Sequence, residues 1–278
     1  MYMMPRHGID DNQHMQKPKI SIITPSFNQS SYLEQSIQSV LSQGYPNLEY
    51  IVIDGGSTDK SIDIIRKYND HISFWISAPD QGQSDALNKG FSRATGDIIG
   101  WLNSDDTYQP GTFAEVADIF TRNDVNVVMC DHFGLMDEDG EIFSLKKNEY
   151  IDHDTLVRFW NSNGMTVNQP SVFFRRELVS NMQPVFDISL CYAMDYDLWL
   201  RLSAVKPFHV VPGHWANYRF HKDSKSGTGF DKFAPEWLAV SRRFWGRPFS
   251  LGWQAHWLDW HFNNQLRRFV KLVKKTLF

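Results

Sequence analysis

The chain has 278 residues and 42% hydrophobic content, enough to bury the core of one large domain or two small ones. Its formal net charge of −4 gives no overall basic signature and excludes a general nucleic-acid binder. Two cysteines, Cys130 and Cys191, have neither CxxC spacing nor a paired histidine cluster, which excludes a disulfide scaffold or zinc site; both read as small buried apolar residues.

Residues 1–17 are polar, lack the apolar segment of a secretory signal, and read as a disordered leader. No stretch approaches the roughly 20 apolar residues of a membrane span. The expected location is therefore cytoplasmic, free or peripheral on the inner face of the cell membrane. Residues 19–24 (KISIIT) form an apolar, β-branched run that predicts a buried strand. Ser30 or Ser31 can cap a helix running to about Gln43, with Leu33, Ile37, Val40 and Leu41 on one face. Residues 48–54 (LEYIVID) predict a second strand stopped by Gly55-Gly56, and Thr58 or Asp59 can cap the helix that carries Ile62, Ile65 and Tyr68. A third strand follows at 72–77, a third helix at 83–94, a fourth strand at 97–102, a helix after Pro110, and a fifth strand at 125–130. Strands alternating with helices, and apolar on both faces, indicate an α/β architecture with a mostly parallel, covered sheet.

Beyond Cys130 the pattern changes. Asp137 to Gly140 reads as a hairpin turn, 169–174 as a strand, and 194–202 as a helix. Two short strands are expected at 208–211 and 215–220, and helix from Phe230 onward, broken near Gly246 to Pro248. The expected organisation is a leader at 1–17, a catalytic domain at 18–229 with halves 18–110 and 111–229, and a helical extension at 230–278.

In a parallel α/β sheet, ligands bind at the carboxyl ends of the strands. Four consecutive strand ends here are polar or acidic: Thr24-Pro25-Ser26-Phe27-Asn28, Asp54 to Asp59, Pro79-Asp80-Gln81-Gly82, and Asn103-Ser104-Asp105-Asp106. Each alone is an ordinary turn or helix cap. Together on one edge they make a carboxylate-rich crevice, which favours cations or ligand hydroxyls. The adjacent carboxylates Asp105 and Asp106 suit a hard divalent cation, Mn2+ or Mg2+, that also takes diphosphate oxygens. As a bland alternative they simply favour the start of the next helix.

The segments TPSFN, IDGGSTD and PDQGQSDALNKGFSRATGDIIGWLNSDD resemble the nucleotide-binding half of bacterial family 2 glycosyltransferases, without obvious gaps from about Lys19 to Pro110. The resemblance implies a GT-A fold and a nucleotide-sugar donor. By it, Thr24, Pro25, Ser26 and Asn28 line the base and ribose, and Asp54 accepts from the base. Asp80 and Asp85 lie where the family contacts nucleotide or donor sugar. Lys89 and Arg93 can face the diphosphate or be solvated helix surface. The family's DxD motif falls on Asn103-Ser104-Asp105, so Asn replaces the first acid and Asp105 and Asp106 are the implied metal ligands.

Attack on an anomeric carbon needs a base for the acceptor hydroxyl. Asp195 and Asp197 lie two apart in AMDYDLWLRL, so on a helix only one can face the site. The resemblance assigns Asp195 as the base of an inverting transfer and leaves Asp197 to structure, although Met194 stands where relatives carry an acid. Gln169 falls where the strand would face donor or acceptor. His221, in YRFHKDSKS, falls where relatives carry a metal- or diphosphate-binding His, and Lys222, Lys225 and Ser226 can close over the diphosphate as a loop hinged on Gly227 and Gly229. The implied acceptor is a saccharide or lipid-linked saccharide of surface polysaccharide synthesis.

The tail carries Trp237, Trp245, Trp253, Trp257 and Trp260, then Arg267, Arg268, Lys271, Lys274 and Lys275, with Leu266, Val270, Val273 and Leu277 at helical spacing opposite them. Such a basic amphipathic helix can lie on an anionic membrane. The alternatives are packing on the catalytic domain or on a second subunit of a homodimer. A nucleotidyltransferase would present a glycine- and basic-rich loop after the first strand, which TPSFNQS lacks. A non-catalytic nucleotide-sugar scaffold is favoured only by Asn103 and Met194, where acids are expected.

Overall fold

The structure is a computed structural model that describes residues 17–148, 150, 152–161, 167–222, 224–225 and 230–262. The leader, apart from Lys17, and the segment from 263 onward with its basic residues lie outside the described residues, as do Ser226, Gly227 and Gly229.

The first half is a run of β/α units: β1 (Ile20–Ser26), α1 (Leu33–Leu41), β2 (Leu48–Asp54), α2 (Ser61–Lys67), β3 (Phe74–Ser77), α3 (Gln83–Arg93) and β4 (Ile98–Trp101). β5 (Thr107–Tyr108), α4 (Thr112–Arg122), β6 (Val127–Met136), β7 (Ile142–Lys147) and α5 (His153–Val157) follow. The chain continues with β8 (Val172–Arg175), α6 (Met194–Ser203), β9 (Phe208–Arg219) and α7 (Phe230–Arg242). A last helical stretch covers 251–262.

Among the described residues nine strands form one mixed sheet in the order β3-β2-β1-β4-β8-β6-β9-β5, with β7 paired to β6. β1 is parallel to β2 and β4, and β2 to β3. β8 enters antiparallel between β4 and β6. The alternation of strand side chains divides the core in two. Ile23, Ile51 and Ile53 face α3, α6 and α7, whereas Ile22, Tyr50 and Val52 face α1, α2 and α4. Covering both faces this way explains why the strands read as continuous apolar runs. α3 sits unusually close to the sheet at Gly90, where a Cβ would come within 2.4 Å of Ile23 Cγ2.

Several boundaries differ from the sequence reading. The expected strands at 208–211 and 215–220 are one strand, β9, whose irregular register against β6 absorbs the Pro-Gly step. The expected strand from Gln169 begins at Val172, because Gln169–Ser171 make a 3-10 turn. Neither Ser30 nor Ser31 caps α1, whose N-cap position is Tyr32. At α2 the Asp59 carboxylate accepts from Ser61 N–H at 2.9 Å, one residue beyond the Lys60 cap position. Cys130 is buried, but Cys191 is exposed, on the turn that precedes α6.

α7 is built into the hydrophobic core. Val240 and Trp245 are buried in the same cluster as α6, and Trp237 stacks on Tyr196 with ring centroids 4.8 Å apart. Asp197 takes Arg201 Nε at 2.8 Å and Arg243 Nη1 at 2.9 Å, so this buried carboxylate ties α6 to the end of α7. Trp253 and Trp260 also pack against the core, whereas Trp257 stays partly exposed.

Candidate active site

The carboxyl ends of β1, β2 and β4 and the start of α3 enclose a cavity of about 790 Å³, lined among others by Pro25, Ser26, Asp80, Asn103, Ser104 and Asp105. That lies within the roughly 300–1,000 Å³ usual for small-molecule sites. A second cavity of about 170 Å³ adjoins it, lined by Trp101, Gln169, Tyr192, Asp195 and Trp237. The two share a wall of Gln83, Asn103, Cys191, Tyr218 and Lys225.

Asp54 lies beneath the larger cavity. It is 1% exposed, and its oxygens accept from Gly56 N–H, Ser57 N–H, Ser57 Oγ and Ser77 Oγ. The carboxylate thus organises the Gly-Gly-Ser turn, and a base can reach it only by displacing one of these donors. The turn runs tightly against the next loop: a Cβ on Gly55 would meet Asp80 Oδ2 at 2.7 Å. Asp80 lines the cavity while accepting from Gly82 N–H at 2.8 Å. Thr24 is fully buried and receives the Tyr50 hydroxyl at 3.2 Å. Asn28, in the left-handed region at φ 51°, accepts from Thr58 N–H at 2.9 Å and braces the loops. Of the β1-end residues, Pro25, Ser26 and Phe27 line the cavity, and the buried Ser26 Oγ has no hydrogen-bond partner among the described residues.

Three of the expected residues on α3 lie away from the cavity lining. Asp85 accepts from Gln81 N–H at 3.1 Å and pairs with Lys89 at 3.0 Å, an i,i+4 contact along the helix surface. Lys89 holds the Asp85 carboxyl below the usual range. Neither residue lines the cavity. Arg93 stacks over Phe74 at 4.4 Å, at the amino end of β3 and so at the opposite edge of the sheet. Two helical turns separate it from the crevice.

The turn after β4 separates its two acids. Asp106 is fully buried and accepts from Arg219 N–H at 2.9 Å and Asn103 Nδ2 at 3.2 Å. Burial pushes its carboxyl well above the ordinary range, and the neighbouring Asp105 charge adds to the effect. Asp105 instead lines the cavity, with Oδ2 3.0 Å from His221 Nε2. The expected Asp105–Asp106 pair does not converge on one point: Asp105 faces the cavity beside His221, whereas Asp106 turns into the fold. Among the described residues no group of three His, Cys, Asp or Glu side chains gathers for a metal. One carboxylate and one imidazole suit a divalent cation that takes its remaining ligands from diphosphate and water.

Arg219, which carries no sequence signature, is the buried hub of this corner. Its guanidinium donates to the carbonyls of Asp105, Asp137 and Glu138 and to the Gln35 side chain. It also lies 4.8 Å from the Tyr32 ring, which packs against His221.

In the smaller cavity, Asp195 occupies the first turn of α6, partly buried, with Oδ1 accepting from Tyr196 N–H at 2.7 Å. Burial raises its carboxyl above the ordinary range, opposed by that N–H and by the Lys225 charge. The turn before α6 is fixed by Glu236 of α7, another residue without a sequence signature: its carboxylate accepts from the N–H groups of Cys191, Tyr192 and Ala193 at 3.1, 2.7 and 3.0 Å. Lys225 Nζ donates to Cys191 O and to Gln83 Oε1, both at 2.9 Å, and Gln83 Nε2 donates to Asn103 Oδ1 at 2.8 Å. Gln169 Nε2 donates to Trp101 O at 2.6 Å. Gln169 Oε1 and Trp101 Nε1, both buried, have no partner among the described residues.

A mixed sheet with nucleotide-type loops at its carboxyl edge and a carboxylate on a facing helix defines a GT-A architecture. The model for glycosyl transferase family 2 matches residues 21–182, more than half of the chain, and the chain belongs to that family. An uncharacterized glycosyltransferase of Rickettsia typhi is 31% identical over 210 residues, 72% of this chain and 64% of that protein. Another, from Haemophilus influenzae, is 36% identical over 157 residues, 55% of this chain and 62% of its own. The chain thus spans less than two thirds of the length of these two relatives. Among solved structures, Staphylococcus aureus TarS residues 1–349 in complex with UDP-GlcNAc superposes with TM-score 0.64 at 16% identity, covering 81% of this chain and 66% of that one. A mannosyltransferase of Pyrobaculum calidifontis in complex with GDP-Man and Mn2+ gives 0.59 at 16% identity, covering 82% and 64%. At these identities the structures share the fold.

Proposed function

We propose that the chain transfers a sugar, with inversion, from a uridine or thymidine diphosphate donor in the larger cavity to a saccharide or lipid-linked saccharide hydroxyl in the smaller one. The observation that carries this reading is Asp195: a carboxylate made more basic by burial, on the wall of a pocket that adjoins the Asp105–His221 corner.

The acceptor hydroxyl oxygen attacks the anomeric carbon while the bond from that carbon to the diphosphate oxygen breaks. The hydroxyl proton passes to Asp195, and the bonding pair leaves with the diphosphate. Lys225, on the wall between the cavities, offsets the charge that develops there. Asp105 and His221 would hold a divalent cation, Mn2+ or Mg2+, which when bound would further neutralise that charge. The unpartnered Gln169 Oε1 and Trp101 Nε1 offer one acceptor and one donor to acceptor hydroxyls. The solved structures bound to UDP-GlcNAc and to GDP-Man with Mn2+ support a nucleotide-sugar donor.

The test has two arms. UDP and dTDP are titrated calorimetrically with and without Mn2+ into the wild type, Asp105→Asn and His221→Ala; binding enhanced by Mn2+ in the wild type, and lost to the enhancement in both variants, is expected. Asp195→Asn is then assayed with a donor panel; a fall in kcat of about 10²–10⁴ with unchanged nucleotide binding is expected. Absence of nucleotide binding in every condition overturns the reading.

A further inference from the structure

The helical stretch 251–262 has two apolar faces. The inner one carries Trp253 and Trp260 against the core, and Asp259 beside them accepts from Trp160 Nε1 at 3.1 Å. The outer one is open to solvent: Leu251 is 86% exposed, Leu258 61% and Phe262 69%, and Phe249 just before the helix is 79% exposed. With exposed Ala255, the positions 251, 255, 258 and 262 recur at intervals of four, three and four, the spacing of a single helical stripe. A contiguous apolar stripe left in water marks a surface that something covers.

The amino-acid sequence indicates what that is. Beyond the stripe, Leu266, Val270, Val273 and Leu277 keep the same interval, and Arg267, Arg268, Lys271, Lys274 and Lys275 intervene, with no Asp or Glu after Asp259. The chain as a whole carries −4, so its cationic charge is concentrated here while the remainder is acidic. We propose that this stripe and the basic sequence that follows dock the protein on an anionic phospholipid surface. A second copy would bring the same excess of cations to the interface, whereas an anionic surface complements it. A nucleic acid has no use for the leucine and phenylalanine stripe. No described helix is long and apolar enough to cross a membrane, so the segment lies on the surface, its apolar stripe in the acyl boundary and its cations at the headgroups. The acidic remainder is repelled by the same surface, which fixes the orientation of docking. The proposal stands on the tail and not on the catalytic reading.

The experiment is flotation of the full chain with vesicles of phosphatidylcholine alone or with about 30% phosphatidylglycerol, an anionic fraction chosen for its surface potential. The wild type is expected to float with the anionic vesicles only, and to be released in about 0.5 M salt. Leu258→Glu/Phe262→Glu is expected to weaken binding at least about tenfold, with the thermal midpoint unchanged because both side chains face solvent. A second variant, Lys271→Gln/Lys274→Gln/Lys275→Gln, leaves the described residues untouched and should weaken binding similarly. Equal recovery on both vesicle types, or wild-type flotation of both variants, overturns the proposal. So does absence of flotation with a sedimenting dimer that Leu258→Glu/Phe262→Glu dissociates, which would assign the stripe to a second copy.

Discussion

Arg219 Nε donates to the backbone carbonyl of Asp105 at 2.8 Å, so the end of β9 fixes the turn that presents the acidic corner of the larger cavity. The same guanidinium satisfies the carbonyls of Asp137 and Glu138, and Arg219 is 1% exposed. Replacing it with Met keeps the stem but removes the guanidinium's bonds to the Asp105 and Glu138 carbonyls and the Gln35 side chain, while Asp137 O keeps only Gly140 N–H. Arg219→Met is expected to cost about 3 kcal/mol or more in urea unfolding. In the fraction that folds, Mn2+-dependent nucleotide binding should weaken, because Asp105 loses its backbone anchor.

Glu236 acts on the other cavity. Its carboxylate takes three consecutive N–H groups of the turn that leads into the Asp195 helix. Glu236→Ala should lower kcat about 10²-fold, the effect of a misplacement near 1 Å. Nucleotide affinity, set at the other cavity, should change less than about twofold. Glu236→Gln, which keeps an acceptor oxygen, should recover part of the loss. Steady-state kinetics beside calorimetry separates these outcomes, and parallel losses of kcat and nucleotide affinity would assign Glu236 to general folding.

The pH dependence of transfer follows from Asp195. The base must be ionised, so kcat/KM falls as pH drops through its pKa, and burial places that limb above the ordinary carboxylate value of about 3.9. The Lys225 charge lowers this pKa. In Lys225→Met the limb should therefore move to higher pH, read from a kcat/KM profile fitted to a single ionisation.

Asp106 sets a pH dependence of stability with the opposite sign to most acids. Its folded pKa is raised, so the native state keeps a proton that the unfolded chain releases above about pH 4. Its contribution to stability is therefore lost progressively as pH rises from there toward the folded value. Asp106→Asn removes the ionisation while leaving Oδ1 to accept from Arg219 N–H. Unfolding of the wild type and this variant at several pH values should show the variant gaining relative stability with rising pH.

The sequence made the β/α half legible because its strands are apolar on both faces and each ends at a glycine, proline or acidic turn. The antiparallel entry of β8 was not legible, since pairing partners far apart in the chain leave no local pattern. Within the site, the strand-end loops announced the crevice, but not which carboxylate of Asp105 and Asp106 faces it: that is decided by the backbone of β9, more than a hundred residues away. Arg219 reads as an ordinary strand arginine and Glu236 as the solvated side of a helix. Their importance arises only when tertiary packing brings them against unpaired backbone groups. Arg93 shows the converse, a cation at the right helical spacing but at the wrong end of the helix.

Gln83 spans the boundary between the cavities, holding Asn103 with its amide nitrogen and Lys225 with its amide oxygen. While that bridge stands, Lys225 is engaged by a neutral partner and by Cys191 O, at the turn that shapes the acceptor pocket. An incoming diphosphate competes for the same ammonium group and so unties the partition from the donor side. The two substrates should then add in compulsory order, nucleotide sugar first. Product inhibition would show it as competition between free nucleotide and donor alone, with the glycosylated product leaving before the nucleotide.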